Sequence, residues 1–385
     1  MKRILYFMPD NPVSGKSGNR TRCLRILEYL SQLNSNEYIV DFLSISDWGD
    51  WGEHELNLFK QRFPRINVKT IERKMSKSKP VRRFFYYKIP FLLHHLFRGV
   101  SVDLTTPFFR RSAAHYLNAS KHDVIIASYA SWGKLFLNLK HKPYLILDTH
   151  DFLTAQNRKE EKIIGKLFQS ELDIIRNFNE IWTLSIEEKY IYEQFTNSKI
   201  VYHPVAFKNT ALQHPTDYKY DIIYVASHNP HNILSIHWFL DNVFPKIQHY
   251  KLHIIGSICK EIPLEYPNVI KHGIVEDLAD IYNHARISIC PMLSGTGVKI
   301  KVIESLSFNV PVVANIRGVD GIINKSNNGC FVTDNAEEFA AYIDQLMIDE
   351  ELYMNARKEA NIYFNNNHDI KKEELYFKTF LTHLK

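Results

Sequence analysis

Between Ile287 and Ala314 the chain runs strand, loop, helix, strand, an order that points to an α/β fold. Ile287-Ser-Ile-Cys290 is a short β-branched run, and Pro291 ends it. Ser294-Gly-Thr-Gly297 follows. Its two glycines, Gly295 and Gly297, let the backbone approach a ligand closely because no Cβ stands in the way. Residues 298–308 have helical spacing, with Val298, Val302, Ile303 and Leu306 on one side and Lys301 and Glu304 on the other. Residues 309–314 restart a buried strand. A helix N-terminus behind a glycine loop is an anion site. Lys299 and Lys301 in that first turn oppose the helix dipole, a cost that a bound anion compensates. The expected ligand carries phosphate.

The same unit opens the chain. Residues 3–8 read as a buried strand, 9–21 as a loop rich in turn residues, 21–33 as an amphipathic helix and 38–43 as the next strand. Gly15-Lys16-Ser17 resembles the end of a P-loop, but Asp10 stands where that motif needs its first glycine. A glycine loop touching substrate, with Gly18 and Arg20 on the acceptor side, and a solvated loop are the readings left. Further strands are expected at 66–71, 123–127, 144–147, 180–184 and 198–202, with helices at 131–140, 163–178 and 187–194. Polar residues follow at 208–219. A second series then begins, with strands at 220–226, 251–255 and near 269 and helices at 233–248 and 277–284. Thr333-Asp334 is read as the cap of a helix over 336–347, and further helices cover 350–364 and 369–385. Strands alternating with helices in two series predict two Rossmann-like domains. They are expected at 1–203 and 204–365, facing a cleft, with 366–385 a helix returning to the first domain.

Composition narrows the setting. The chain has 385 residues, 45% hydrophobic and 23% charged, which describes a folded protein rather than a disordered one. Cys23, Cys259, Cys290 and Cys330 are far apart without ligand spacing, so neither a zinc site nor a disulfide framework is expected. The first apolar run is too short for a signal peptide and none is long enough to span a bilayer, so a cytoplasmic protein is expected. Net charge is +6, which permits an acidic partner without demanding one. Residues 73–97 join a basic run (Arg73, Lys74, Lys77, Lys79, Arg82, Arg83) to an aromatic and apolar segment. That pairing suits a helix on an anionic membrane surface. A packed helix with a solvated basic edge has the same composition. No nucleic-acid-binding motif appears elsewhere, and no nucleic-acid partner is expected.

In order, Asp221-Ile-Ile-Tyr-Val-Ala-Ser227, Leu252-His-Ile-Ile-Gly256, Asn268-Val-Ile-Lys-His-Gly273, Gly295-Thr-Gly-Val-Lys-Ile-Lys-Val-Ile-Glu304, Val310-Pro-Val-Val313 and Gly318-Val-Asp-Gly321 form a recognisable series. It resembles the GT-B glycosyltransferases of family 4 (group 1). In the first half, Asp148-Thr-His-Asp151 is similar to a motif of sugar transferases that build bacterial surface glycans.

The resemblance implies a nucleotide-sugar donor held mainly by the second domain, and a glycan or lipid-linked acceptor. Glu304 matches the second glutamate of the family's E-x7-E motif, which binds the ribose hydroxyls. Lys299 and Lys301 fall where cations meet the diphosphate. Gly273 and Val275 belong to the loop bordering the base, and Ser227, His228 and Asn229 to a phosphate-side loop. Thr296 stands where relatives carry the first glutamate, which contacts the transferred sugar. The implied mechanism is retaining, through a front-face route, with no metal and no other cofactor. His150 is the candidate at the reacting centre, steadied by Asp151; in an inverting enzyme one of the two would be the base. A non-catalytic GT-B subunit that binds a nucleotide sugar or a partner transferase is the alternative.

Overall fold

A computed structural model describes residues 1–14, 18–157, 161–211, 217–262 and 266–383. Gly15-Lys16-Ser17, with its P-loop resemblance, lies outside them. The chain divides into two compact units, Met1–His203 and Pro204–Lys385. The terminal helix Ile370–His383 falls in the second unit, which is also tied to it by Ile370 N–H donating to Phe207 O.

In the first unit, strands β1 (Lys2–Phe7), β2 (Tyr38–Ile45), β3 (Ile66–Ile71), β4 (Val124–Ser128), β5 (Tyr144–Asp148), β6 (Glu180–Thr183) and β7 (Lys199–Tyr202) form one parallel sheet. Their order is β3-β2-β1-β4-β5-β6-β7. The β4 side chains are all buried, as expected for a central strand covered by helices on both faces. Leu5, Phe7, Ile125, Ala127 and Leu147 pack in the core with Trp132 and Phe136. The order reverses between β1 and β4, and open parallel sheets bind ligands outside the carboxyl ends of the strands at that crevice.

The second unit repeats the plan. Strands β8 (Tyr220–Val225), β9 (Leu252–Ile255), β10 (Val269–Gly273), β11 (Ala285–Cys290), β12 (Val312–Ala314) and β13 (Cys330–Val332) are parallel in the order β10-β9-β8-β11-β12-β13. Its crevice lies between β8 and β11.

Several elements differ from their sequence expectation. The expected helix over 131–140 is a short 3-10 helix, Ala130–Leu135. Gly133 is pressed so closely to the helix Ile164–Ile175 that an added Cβ would sit 2.5 Å from Ile174, and tertiary packing overrides the local pattern there. The helix expected over 233–248 breaks into Pro230–Trp238, a π turn and a 3-10 turn at Phe244–Lys246. Pro245, which has no N–H to donate, sits in that last turn. Asn335, rather than Thr333-Asp334, caps the helix Ala336–Ile348 by accepting from Glu338 N–H at 3.0 Å. The helices Glu53–Arg62 and Pro107–Ser120 and strand β13 have no counterpart in the sequence reading. Arg73 is no solvated cation. It is buried, with its guanidinium over the rings of Trp48, Tyr87 and Trp132.

Candidate functional site

Each unit gathers polar side chains at its own crevice. In the first unit, β5 carries Asp148 to the carboxyl edge of the sheet, where it is fully buried. Arg22, buried on the helix Gly18–Ser31, donates from Nε to both Asp148 oxygens at 3.0 and 2.9 Å. Its Nη2 lies 2.8 Å from Nδ1 of buried His203. Burial pushes the Asp148 carboxyl up, but Arg22 and His150 more than reverse this, leaving it well below the ordinary value. Burial and the Arg22 charge push His203 down to about 3, so its ring is neutral.

His150 is 5% exposed and adopts a left-handed backbone, φ 59°. Tyr129, at the end of β4, does likewise with φ 66°. Neither is glycine, and each such conformation costs about 1–3 kcal/mol, a strain that concentrates at functional sites. Their rings stack at 4.4 Å. His150 Nε2 is 3.2 Å from Asp148 Oδ2, out of line for a hydrogen bond. Among the described residues neither ring nitrogen of His150 has a hydrogen-bond partner.

The carboxylate at that distance from the imidazole is therefore Asp148, not the expected Asp151. Asp151 is half-buried, its N–H donating to Thr149 O at 2.7 Å. Its charge raises Glu188, a carboxyl already pushed well up by burial. Gly18 opens the helix Gly18–Ser31. Arg20 acts on Asp10, whose carboxyl burial raises and Arg20 partly restores. Asp10, Tyr129, Asp148 and His203 were absent from the sequence-derived set of site residues. Asp10 counted there only as a departure from the P-loop; its place directly after the first strand was the available signal.

In the second unit the loops after β8 and β11 are stitched together. His231 Nδ1 lies 2.8 Å from Ser294 Oγ, and Lys301 Nζ donates to Asn232 Oδ1 at 2.9 Å. Asn229 caps the helix Pro230–Trp238 by accepting from Asn232 N–H, and its amide donates to Ser227 Oγ at 3.2 Å. Gly295 and Gly297 both take positive φ, 96° and 74°. A Cβ on Gly295 would also meet the His231 ring at 3.4 Å, so glycine is needed there.

The helix behind this loop starts later than its periodicity suggests. It covers Ile300–Ser307, and Lys299 is its N-cap residue. Lys299 Nζ folds back to Thr296 O and Gly297 O at 3.2 and 2.7 Å. Lys301 lies with its ammonium 4.6 Å over the Tyr224 ring. Burial lowers it to about 8. Glu304 accepts a long hydrogen bond, 3.5 Å, from the Tyr282 hydroxyl. Val275 packs on the cluster that holds Tyr282, and Gly273 O accepts from Gly256 N–H at 2.6 Å. His228 is exposed and pairs with Glu261. Thus Ser227, Asn229, Gly295, Thr296, Gly297, Lys299 and Lys301 share one crevice. Glu304 joins them to the Gly273–Val275 loop through Tyr282. His228 faces another carboxylate. Among the described residues no group of three or more His, Cys, Asp or Glu is placed to hold a metal ion.

Two parallel, doubly wound units, each with a crevice at its strand reversal, define the GT-B glycosyltransferase fold. Solved structures covering the whole chain share it. Sucrose-phosphate synthase from Thermosynechococcus elongatus is 13% identical, with a TM-score of 0.68 over 100% of this chain and 99% of that one. HepE from Anabaena, in complex with UDP and glucose, is 13% identical with a TM-score of 0.64, covering 100% of both. A variant of TarM from S. aureus, in complex with fondaparinux, alpha-GlcNAc-glycerol and UDP, is 15% identical with a TM-score of 0.67, again over 100% of both.

Within that fold, residues 219–349 match the family model of Glycosyl transferases group 1. The matched residues all lie in the second unit. No curated protein sequence matches the chain.

Proposed function

We propose that this protein transfers a sugar, with retention, from a nucleotide-sugar donor to a glycan or glycolipid acceptor in surface-polysaccharide synthesis. The match at 219–349 carries the reading, because it spans the crevice that holds the glycine loop, Lys299, Lys301 and Glu304. Backbone N–H groups of the loop and the two ammonium groups stabilise the leaving diphosphate, in place of a metal ion, as the anomeric C–O bond breaks. Glu304 accepts the ribose hydroxyl protons, and Gly273 and Val275 border the base. The acceptor oxygen bonds to the anomeric carbon from the side the diphosphate leaves, and its proton passes to the departing phosphate oxygen. HepE and TarM, which share the fold, have been solved with UDP. The test is a thermal-shift panel of nucleotide diphosphates followed by donor hydrolysis and transfer assays in EDTA. Nucleotide binding without turnover of any donor would sink the enzyme reading and leave a nucleotide-binding subunit.

The same reading places the protein in the cytoplasm, on the inner face of an anionic membrane. The helical stretch over 80–98 leaves Val81, Phe85, Leu92 and Leu96 between 57% and 71% exposed. Lys77, Lys79, Arg82, Arg83 and Lys88 are interleaved with them or precede them. No helix among the described residues is long and apolar enough to cross a membrane. Co-sedimentation with phosphatidylglycerol vesicles is expected to fall at least tenfold when Arg82, Arg83 and Lys88 become glutamate, about 1 kcal/mol per charge. Unchanged pelleting would dismiss the membrane contact.

A further inference from the structure

We propose that Glu171 is a positioning residue for the reaction: its buried carboxylate fixes the segment after β5 and so sets where the His150 imidazole lies. The proposal rests on the glycosyltransferase reading, with His150 at the reacting centre, and deepens it. Glu171 stands on the helix Ile164–Ile175 and is 0% exposed. Its Oε1 accepts from Leu153 N–H and from the Tyr192 hydroxyl, both at 3.0 Å. Its Oε2 accepts from Thr154 N–H at 2.9 Å and from Thr154 Oγ1 at 2.6 Å. A carboxylate has about four lone-pair sites, and four neutral donors fill them.

His150 lies between two anchors. On one side, Thr149 donates from its N–H and from Oγ1 to Trp182 O on β6, each at 3.0 Å. On the other, Glu171 holds Leu153 and Thr154. Between them Asp151 N–H donates back to Thr149 O at 2.7 Å, and Phe152 packs edge-on against Phe168 and Tyr192. The left-handed backbone of His150 is a conformation that persists only where the surrounding structure over-determines it. The two anchors do so. That backbone in turn directs the ring, which stacks on Tyr129 and reaches to 3.2 Å from Asp148 Oδ2.

Capping alone does not account for Glu171. The helix that begins at Leu153 ends at Gln156, a single turn. A helix that short adds little stability of its own, because its nucleus is costly and few bonds offset it. Much longer helices, Ala336–Ile348 and Glu350–Asn367, are capped by the exposed residues Asn335 and Asp349 that precede them. Taking a carboxylate out of water is costly even where it is hydrogen-bonded. Burial raises the Glu171 carboxyl, and the two Thr154 bonds are first among those that oppose the rise, so the bonds to the segment favour its charged form. A charged acceptor holds its donors more strongly than a neutral one. Such a clamp suits a segment whose path matters, and the residue it places is His150.

The experiment follows the His150 ring by NMR together with turnover, in the full chain carrying isotope-labelled histidine. The variants are Glu171→Gln, Thr154→Val, His150→Ala and Glu171→Gln combined with His150→Ala. The His150 resonance is the one absent from His150→Ala. In Glu171→Gln an amide NH2 faces two donors from which it cannot accept. The ring resonance should shift and kcat should fall about tenfold or more, with donor KM and UDP affinity within about twofold of wild type. Thr154→Val removes one of the four bonds and keeps the carboxylate. It should move the resonance the same way by less, and it carries the test where Glu171→Gln does not fold. The double variant should be no slower than His150→Ala alone, because Glu171 acts through that ring. A resonance unmoved in both Glu171→Gln and Thr154→Val, or losses in kcat that multiply in the double variant, overturns the proposal. If wild type turns over no donor, the glycosyltransferase reading fails, while the resonance still decides whether Glu171 places the ring.

Discussion

The two crevices handle charge in opposite ways. In the first unit Arg22 and Asp148 are a buried ion pair, 1% and 0% exposed. Their charges are fixed against each other before any ligand arrives. In the second unit the printed contacts of the cations are with neutral groups, Lys299 with two loop carbonyls and Lys301 with an amide oxygen and an aromatic face, and the charge of Glu304 also acts on Lys301. A cation held by a carboxylate must break an ion pair to serve a phosphate; one held by a carbonyl gives up much less. On the proposed function, the first arrangement holds a shape and the second receives an anion. Substitutions should therefore cost stability in the first and ligand affinity in the second.

The largest expected effect tests the first half of that contrast. Arg22→Met leaves the buried Asp148 carboxylate with only the His150 ring beside it, which costs about 3–5 kcal/mol. It also removes the Nη2 contact with His203. Chemical denaturation should show the loss, and a change under about 1 kcal/mol would mean the pair is not held dry.

Acid separates the contributions next. A buried imidazole with a lowered pKa must take up a proton on unfolding, so the unfolded state binds more protons below its ordinary value of about 6.5. Stability is therefore lost as pH falls. His203, at about 3, reports the first unit, and His253 and His368, at about 4, the second. The expected slope between pH 6 and 4.5 is at most about 1.4 kcal/mol per pH unit for each ring. Asp148 acts later. Its lowered carboxyl stabilises the fold above the ordinary value of about 4, and that stability is lost below it. Denaturation midpoints that stay flat from pH 6.5 to 4.5 would contradict neutral buried rings.

Lys301 tests the other half. Lys301→Met should weaken nucleotide-diphosphate binding about 10–100-fold, or about 1.4–2.7 kcal/mol, with little loss of stability. Because burial lowers this ammonium to about 8, affinity in wild type should fall as pH rises through that value. The sign for stability is reversed. A lowered lysine binds fewer protons folded than unfolded between about 8 and its ordinary 10.4, so its contribution to stability improves over that range as pH rises. Calorimetric titrations at pH 7 and 9 check the binding arm, and Lys301→Arg should abolish the difference.

The sequence exposed the second crevice more fully than the first, for a physical reason. Its candidate residues lie within one strand-loop-helix segment, so Gly295, Gly297, Lys299, Lys301 and Glu304 can be read from local spacing. The first crevice is assembled from residues far apart in the chain. Arg22, Asp148 and His203 meet only once β1, β5 and β7 are in one sheet. His150 stood out because of its neighbours in sequence, and its contact with Asp148 depends on a left-handed backbone that composition does not announce. The strand series was legible because buried parallel strands are continuous apolar runs. The short 3-10 helix at Ala130–Leu135 was not, because its α-helical pattern loses to the close packing of Gly133.

The smallest effect bears on where the second crevice ends. Glu304 sits beyond the phosphate loop, with Tyr282 donating to it over 3.5 Å. Two adjacent ribose hydroxyls can donate to a carboxylate over shorter distances than that. Glu304→Gln keeps the shape and one acceptor oxygen but removes the charge, and a charged hydrogen bond exceeds a neutral one by roughly 1 kcal/mol. Nucleoside-diphosphate affinity should therefore fall about fivefold to tenfold, while affinity for inorganic pyrophosphate, which has no ribose, should not fall. Lys301→Met should weaken both ligands. If Glu304→Gln weakens both equally, the glutamate acts through the phosphate loop and the ribose assignment is wrong. If it weakens only the nucleoside diphosphate, the crevice reads two parts of one ligand with two different side chains on the same short helix.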